Sequence, residues 1–108
     1  MNDTKEYPPL TDEMLIALEK KVNLMLTTSE DCELIEHYMA SIGKPGVLLE
    51  AFREEGVFSF EDAEDIIETG RDEDYEDDYK FRPDGLAGSL LGCIHILQRR
   101  LKRGEKIH

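Results

Sequence analysis

The chain has 108 residues, of which 40% are hydrophobic and 35% charged, and 25 acids against 13 bases leave a formal net charge of −12. That length suits one domain with a real core and excludes a core plus a second folded unit, while the apolar content separates the chain from disordered acidic proteins. Residues 1–98 hold 24 acids and 8 bases, and only the last ten, RRLKRGEKIH, are basic, so direct binding to nucleic-acid phosphates or to an anionic membrane is not expected.

Residues 1–10 contain two prolines and few apolar side chains and are expected to form an extended arm. Thr11 then has the chemistry of an N-cap, with Asp12 and Glu13 at the positive end of the helix dipole. Met14, Leu15, Leu18, Val22 and Met25 recur at helical spacing, which predicts a first helix over about residues 12–27. Thr28 or Ser29 can cap a second, whose face is Leu34, Ile35, Tyr38, Met39 and Ile42 and whose stop is Gly43. Pro45 suits the first position of a third helix, which carries Val47, Leu48, Ala51 and Phe52 and ends at Gly56. Ser59 and Asp62 have the spacing of a capping box and open a fourth helix through Phe60, Ala63, Ile66 and Ile67, with Gly70 as its stop.

An acidic connection over residues 71–84 follows. Asp84 is the expected cap of the last helix, where Leu86, Leu90, Ile94, Leu97 and Leu101 keep helical period up to Gly104. Arg99, Arg100, Lys102 and Arg103 sit at the negative end of its dipole, and residues 104–108 form a basic tail. Gly88, Ser89 and Gly92 lie near one stripe of this helix and predict close approach of a neighbouring helix, since GLAGSLLG lacks the GxGxxG spacing and no strand precedes it. The fold class expected is all-α: a single-domain, irregular bundle of about five helices around a long C-terminal central helix.

Few residues suggest chemistry. Cys32 and Cys93 are far apart, each within a helical pattern, which suits buried free thiols in a reducing compartment. No basic start precedes an apolar run near the N-terminus, so a soluble, cytoplasmic protein is expected. An EF-hand loop starting at Asp72 would put Asp77 where the turn needs glycine and Pro83 where a bidentate glutamate is needed, so calcium is not expected. Cys32 with His37, and Cys93 with His95, have spacings that place neither pair on one helix face for zinc. No base is supplied to Cys93 as a nucleophile, and no catalytic residue, metal or cofactor is assigned.

The acidic surface is what stands out. From Glu61 to Asp78, 11 of 18 residues are Asp or Glu, with Tyr75 and Tyr79 embedded in DYEDDY. Tyrosines among like charges fit a binding surface, in which rings anchor the contact while charge speeds encounter; the plainer alternative is that at least one ring folds inward over the core. The candidate partner-binding residues are Glu61, Asp65, Glu68, Asp72, Asp74, Tyr75, Glu76, Asp77, Asp78 and Tyr79.

In size, helical pattern, charge and this tyrosine-bearing acidic stretch, the chain resembles the small acidic immunity proteins that bacteria pair with secreted nuclease toxins, of the colicin and contact-dependent growth inhibition types. In the colicin group the tyrosines are adjacent and precede a proline, whereas here Glu76, Asp77 and Asp78 separate them, so no family residue is carried across. The resemblance implies a non-enzymatic inhibitor of a basic toxin nuclease, with Asp72, Asp74, Asp77 and Asp78 facing its Lys and Arg residues. The alternative is an acidic regulatory or adaptor protein, or a nucleic-acid mimic, that docks a DNA- or RNA-binding partner. A homo-oligomer joining acidic stretch to basic tail is a further alternative.

Overall fold

The computed structural model describes residues 7–72 and 83–108. They form five helices, α1 (Asp12–Asn23), α2 (Ser29–Ser41), α3 (Val47–Glu54), α4 (Phe60–Asp72) and α5 (Pro83–Lys102), and no strand among the described residues. The all-α bundle is therefore as the periodicity predicts. α5 is the longest, at 20 residues, and packs against each of the other four helices. Its Leu86, Leu90, Ile94 and Leu97 are buried, and they meet Leu15, Leu18 and Val22 of α1, Ile35, Tyr38 and Met39 of α2, Leu48 and Phe52 of α3, and Ala63 and Ile67 of α4 in one core.

Local chemistry sets most helix ends. The Thr11 hydroxyl accepts the Met14 N–H at 3.2 Å. Thr28 and Asp31 form a reciprocal capping box, at 3.2 and 3.0 Å, and Ser59 accepts the Asp62 N–H at 3.0 Å. Gly43, Gly56 and Gly104 all take positive φ. After each glycine the next amide reaches back to the carbonyl five residues earlier, as Lys44 does to Met39 and Val57 to Phe52, both at 2.9 Å.

Four boundaries depart from expectation. α1 ends at Asn23 because Met25 adopts φ 59° and plays the part usually taken by glycine, with Leu26 N–H donating to the Lys21 carbonyl at 2.8 Å. That conformation costs a non-glycine residue roughly 1–2 kcal/mol. Pro45 does not open α3; Gly46, at φ 77°, is its N-cap. α4 runs through Gly70 to Asp72, so the acidic connection begins inside a helix. Pro83 opens α5, which places Asp84 within the helix and not at its cap.

Gly46 has no side chain with which to cap α3, and Glu36 of α2 supplies the missing acceptor. One carboxylate oxygen accepts the Gly46 N–H and the other the Leu48 N–H, the latter at 3.1 Å. Glu64 of α4 does the same for α2, accepting the Ser29 N–H at 2.8 Å. Anionic acceptors are well placed at the positive ends of helix dipoles, and each bond satisfies an amide that lacks a partner within its own helix.

The chain before α1 packs onto this bundle. Leu10 is buried and its N–H donates to the Ile107 carbonyl at 2.8 Å. The buried Tyr38 donates its hydroxyl to the Pro8 carbonyl, while Tyr7 stacks on His37 with centroids 4.2 Å apart. Ile107 is itself buried.

The expected close packing at the glycines of α5 is not what they do. Among the described residues, a Cβ added at Gly88 or Gly92 would meet nothing within 4 Å, whereas one added at Gly85 would meet the Glu55 carboxylate. Each open glycine weakens the helix by about 1 kcal/mol relative to alanine. Packing rows read from sequence identify residues that share a face, but not whether another helix covers it.

Replacing Glu36 by alanine should destabilise the fold by about 2 kcal/mol, since two helix-end amides lose an anionic acceptor. Glu36→Gln, which keeps one carbonyl oxygen, should fall between it and the parent. A urea midpoint that drops with unchanged m-value is the expected observation.

Candidate functional site

α4 is held by its inner face. Phe60 packs edge-on against Phe52, centroids 5.8 Å apart, and Ala63 and Ile67 are buried against α2 and α5. Anchoring on that side turns Glu61, Asp65 and Glu68 outward, all exposed. Their steps of four and three residues make one row, and Asp72 holds the next position of the same register. Thus three of the predicted binding residues stand exposed on one face of one helix, and Asp72 is the last residue of that helix. The other six, Asp74, Tyr75, Glu76, Asp77, Asp78 and Tyr79, lie outside the described residues, as does the question of which way the two tyrosine rings point.

The carboxylates of α4 divide into two kinds. Glu64 points inward and serves as the cap on α2. Glu61 and Asp65 form no ion pair or hydrogen bond through their carboxylates among the described residues. Standing four apart with like charge, they work against the helix by a few tenths of a kcal/mol. Elsewhere a buried acid is neutralised within the fold: Asp31 receives the Lys21 ammonium at 3.1 Å.

Sequence reasoning missed Phe58. Its neighbours Val57 and Phe60 pack into the core, but Phe58 is 67% exposed, three residues before Glu61. The signal available was that α4 starts at Phe60, so an aromatic two residues earlier precedes the helix's apolar face. An exposed ring at the edge of a charged row has the composition of a contact anchor.

The remaining candidates offer less. Cys32 and Cys93 are free and buried. Burial pushes the Cys32 thiol from the ordinary 9.0 up to about 12, with Asp31, Glu64 and Glu33 adding to it, and pushes Cys93 up to about 11, with Glu36 adding. Neither is an activated nucleophile. His37 is covered by Tyr7, and His95 lies 3.8 Å from the Glu19 carboxylate. Among the described residues no three His, Cys, Asp or Glu side chains are grouped to hold a metal. An open cleft of about 330 Å³ between Leu10, Leu101 and Ile107 gathers His108 and Glu105, but that carboxylate is already held by Arg100 at 3.2 Å and Arg103 at 3.9 Å.

Compared with protein-family models, with curated proteins and with solved structures, the chain matches none. The functional reading therefore rests on the acidic face itself.

Both thiols should resist a thiol-specific disulfide reagent in the native protein at about pH 8 and react once it is unfolded. Above the ordinary thiol pKa the unfolded chain releases protons that the native state retains. Stability contributed below pH 9.0 should thus be lost progressively as pH rises toward about 11 for Cys93 and about 12 for Cys32. Replacing both by alanine should flatten this part of the curve in pH-dependent denaturation.

Proposed function

We propose that the protein is a non-enzymatic, protein-binding inhibitor that docks a basic partner on its acidic face, acting in the bacterial cytoplasm as an immunity protein against a nuclease toxin. The observation that carries this reading is the outer row of α4, where Glu61 and Asp65 stand exposed with no neutralising partner among the described residues. A nuclease must present cations to bind phosphates. A fixed line of carboxylates, repeated at one helical turn, offers those cations an alternative ligand and excludes the polyanion by charge and bulk. Phe58 would add apolar contact at the end of the row. Among the described residues no helix is long and apolar enough to cross a membrane, and two free thiols are in keeping with a reducing compartment.

Mixed with its cognate nuclease, the protein should suppress hydrolysis of nucleic acid. Glu61→Gln with Asp65→Asn should slow association about three- to tenfold at low ionic strength, with the difference fading as salt is raised, as stopped-flow binding would show. An unchanged association rate would remove the α4 row from the mechanism. Capture of a nucleic-acid-binding host protein with no toxin inhibited would favour the adaptor reading.

A further inference from the structure

The segment before α1 and the segment after α5 meet each other. Leu10 and Ile107 are both buried, and the Leu10 N–H donates to the Ile107 carbonyl at 2.8 Å. Further along this arm the buried Tyr38 donates its hydroxyl to the Pro8 carbonyl, while Tyr7 stacks on His37 and stands edge-on to Tyr38, with centroids 4.2 and 6.3 Å apart. Pro8 and Pro9 have no N–H to give, so among the described residues Leu10 supplies the one backbone donor that fixes residues 8–10. Packing between the two segments is also incomplete. An open cleft of about 330 Å³ lies where they meet, bounded by Pro9, Leu10, Leu101 and Ile107. Few donors, exposed prolines and a gap beside the contact mark a unit of low local stability, one that opens without global unfolding.

Neither segment is needed to complete a helix. Thr11 caps α1 with its own hydroxyl, and Gly104, at φ 88°, closes α5. Glu105 is tied back to Arg100 at 3.2 Å, which leaves residues 106–108 as the part of the tail that can swing, with Ile107 its one buried side chain. Each segment thus hinges at a finished helix end and holds on through one buried aliphatic residue. The two prolines restrict the backbone of the arm, so a loss of grip at Tyr7 is passed on to Leu10 and not absorbed between them.

We propose that the arm, residues 7–10, and the tail, residues 106–108, form a clasp that opens and closes as one unit on the folded bundle and, when open, uncovers a surface of His37, Tyr38 and Leu101. Whatever draws one segment away then releases the other. The clasp uses neither Glu61 nor Asp65, and its failure would leave the reading of the α4 face untouched.

Two measurements on the full chain read the two segments separately. Hydrogen exchange, followed amide by amide by NMR, should show Leu10 exchanging faster than Ile94 of the core and by a route nearly indifferent to low urea, whereas Ile94 should respond steeply. Release of Ile107 by a carboxypeptidase reports the population in which the tail is open, and it should share that indifference. Tyr7→Ala removes only ring contacts with His37 and Tyr38, at the end of the arm away from the tail. It should nevertheless speed both Leu10 exchange and Ile107 release about tenfold. Leu10 exchange that follows Ile94 in rate and urea dependence would overturn the proposal, since the arm would then open only with the whole bundle. Ile107 release that rises steeply with urea, or that Tyr7→Ala leaves unchanged, would overturn it as well, because the tail would not open with the arm.

Discussion

The carboxylate of Glu36 fixes how α2 and α3 are joined, and the core depends on that join. An eight-residue helix is marginal in water by itself, and α3 begins at a glycine that offers its first amides no acceptor. Glu36 satisfies two of them at once, from a helix already buried through Ile35, Tyr38 and Met39. The start of α3 is thereby set relative to α2, and Leu48 and Phe52 are delivered to α5. Glu64 repeats the device between α4 and α2. Three successive helices are tied, amide end to neighbouring carboxylate, before any hydrophobic contact is counted.

This arrangement explains how a chain of net charge −12 stays compact. A carboxylate that faces inward needs a helix end or a cation to meet it, as amides do for Glu36 and Glu64 and as Lys21 does for Asp31. The inward acids are consumed by the architecture. What remains is charge on outward faces, concentrated on α4 because its inner face is occupied by Phe60, Ala63 and Ile67. The acidic row is thus a feature of surface composition, separable from the fold, and its cost to the helix is small beside the burial of the opposite face.

How far the fold was legible follows from the range of the interactions involved. Thr11, Thr28, Ser59, Gly43, Gly56 and Gly104 act within a few residues of themselves, and their roles can be read directly. Pro45 and Asp84 were misplaced because a competing local arrangement existed at each: Gly46 could take the left-handed conformation, and Pro83 could itself occupy the first turn. Met25 was unreadable, since a methionine seldom stands in for glycine. Glu36 and Glu64 were beyond reach for another reason, as their partners lie 10 and 35 residues away and meet them only in the folded chain. For the candidate site, composition was enough to single out Glu61, Asp65 and Glu68, whereas their shared outward face and the exposed Phe58 emerged only from the folded chain. The α5 glycines show the limit most clearly: their spacing announced a stripe, but only the surrounding space revealed that no element among the described residues covers it.

Two surfaces, then, break local rules without compensation among the described residues. α4 places like charges four residues apart, and α5 keeps two glycines where alanine would fit. Other irregularities do have an internal partner: Gly46 is answered by Glu36, Gly85 accommodates Glu55, and the buried Asp31 is answered by Lys21. A chain whose caps, stops and core agree at each level is expected to depart from that consistency where something other than its own stability is served. A substitution that relieves the α4 departure would give a more stable chain, which is the reason to look for the purpose of that row in contact with a partner.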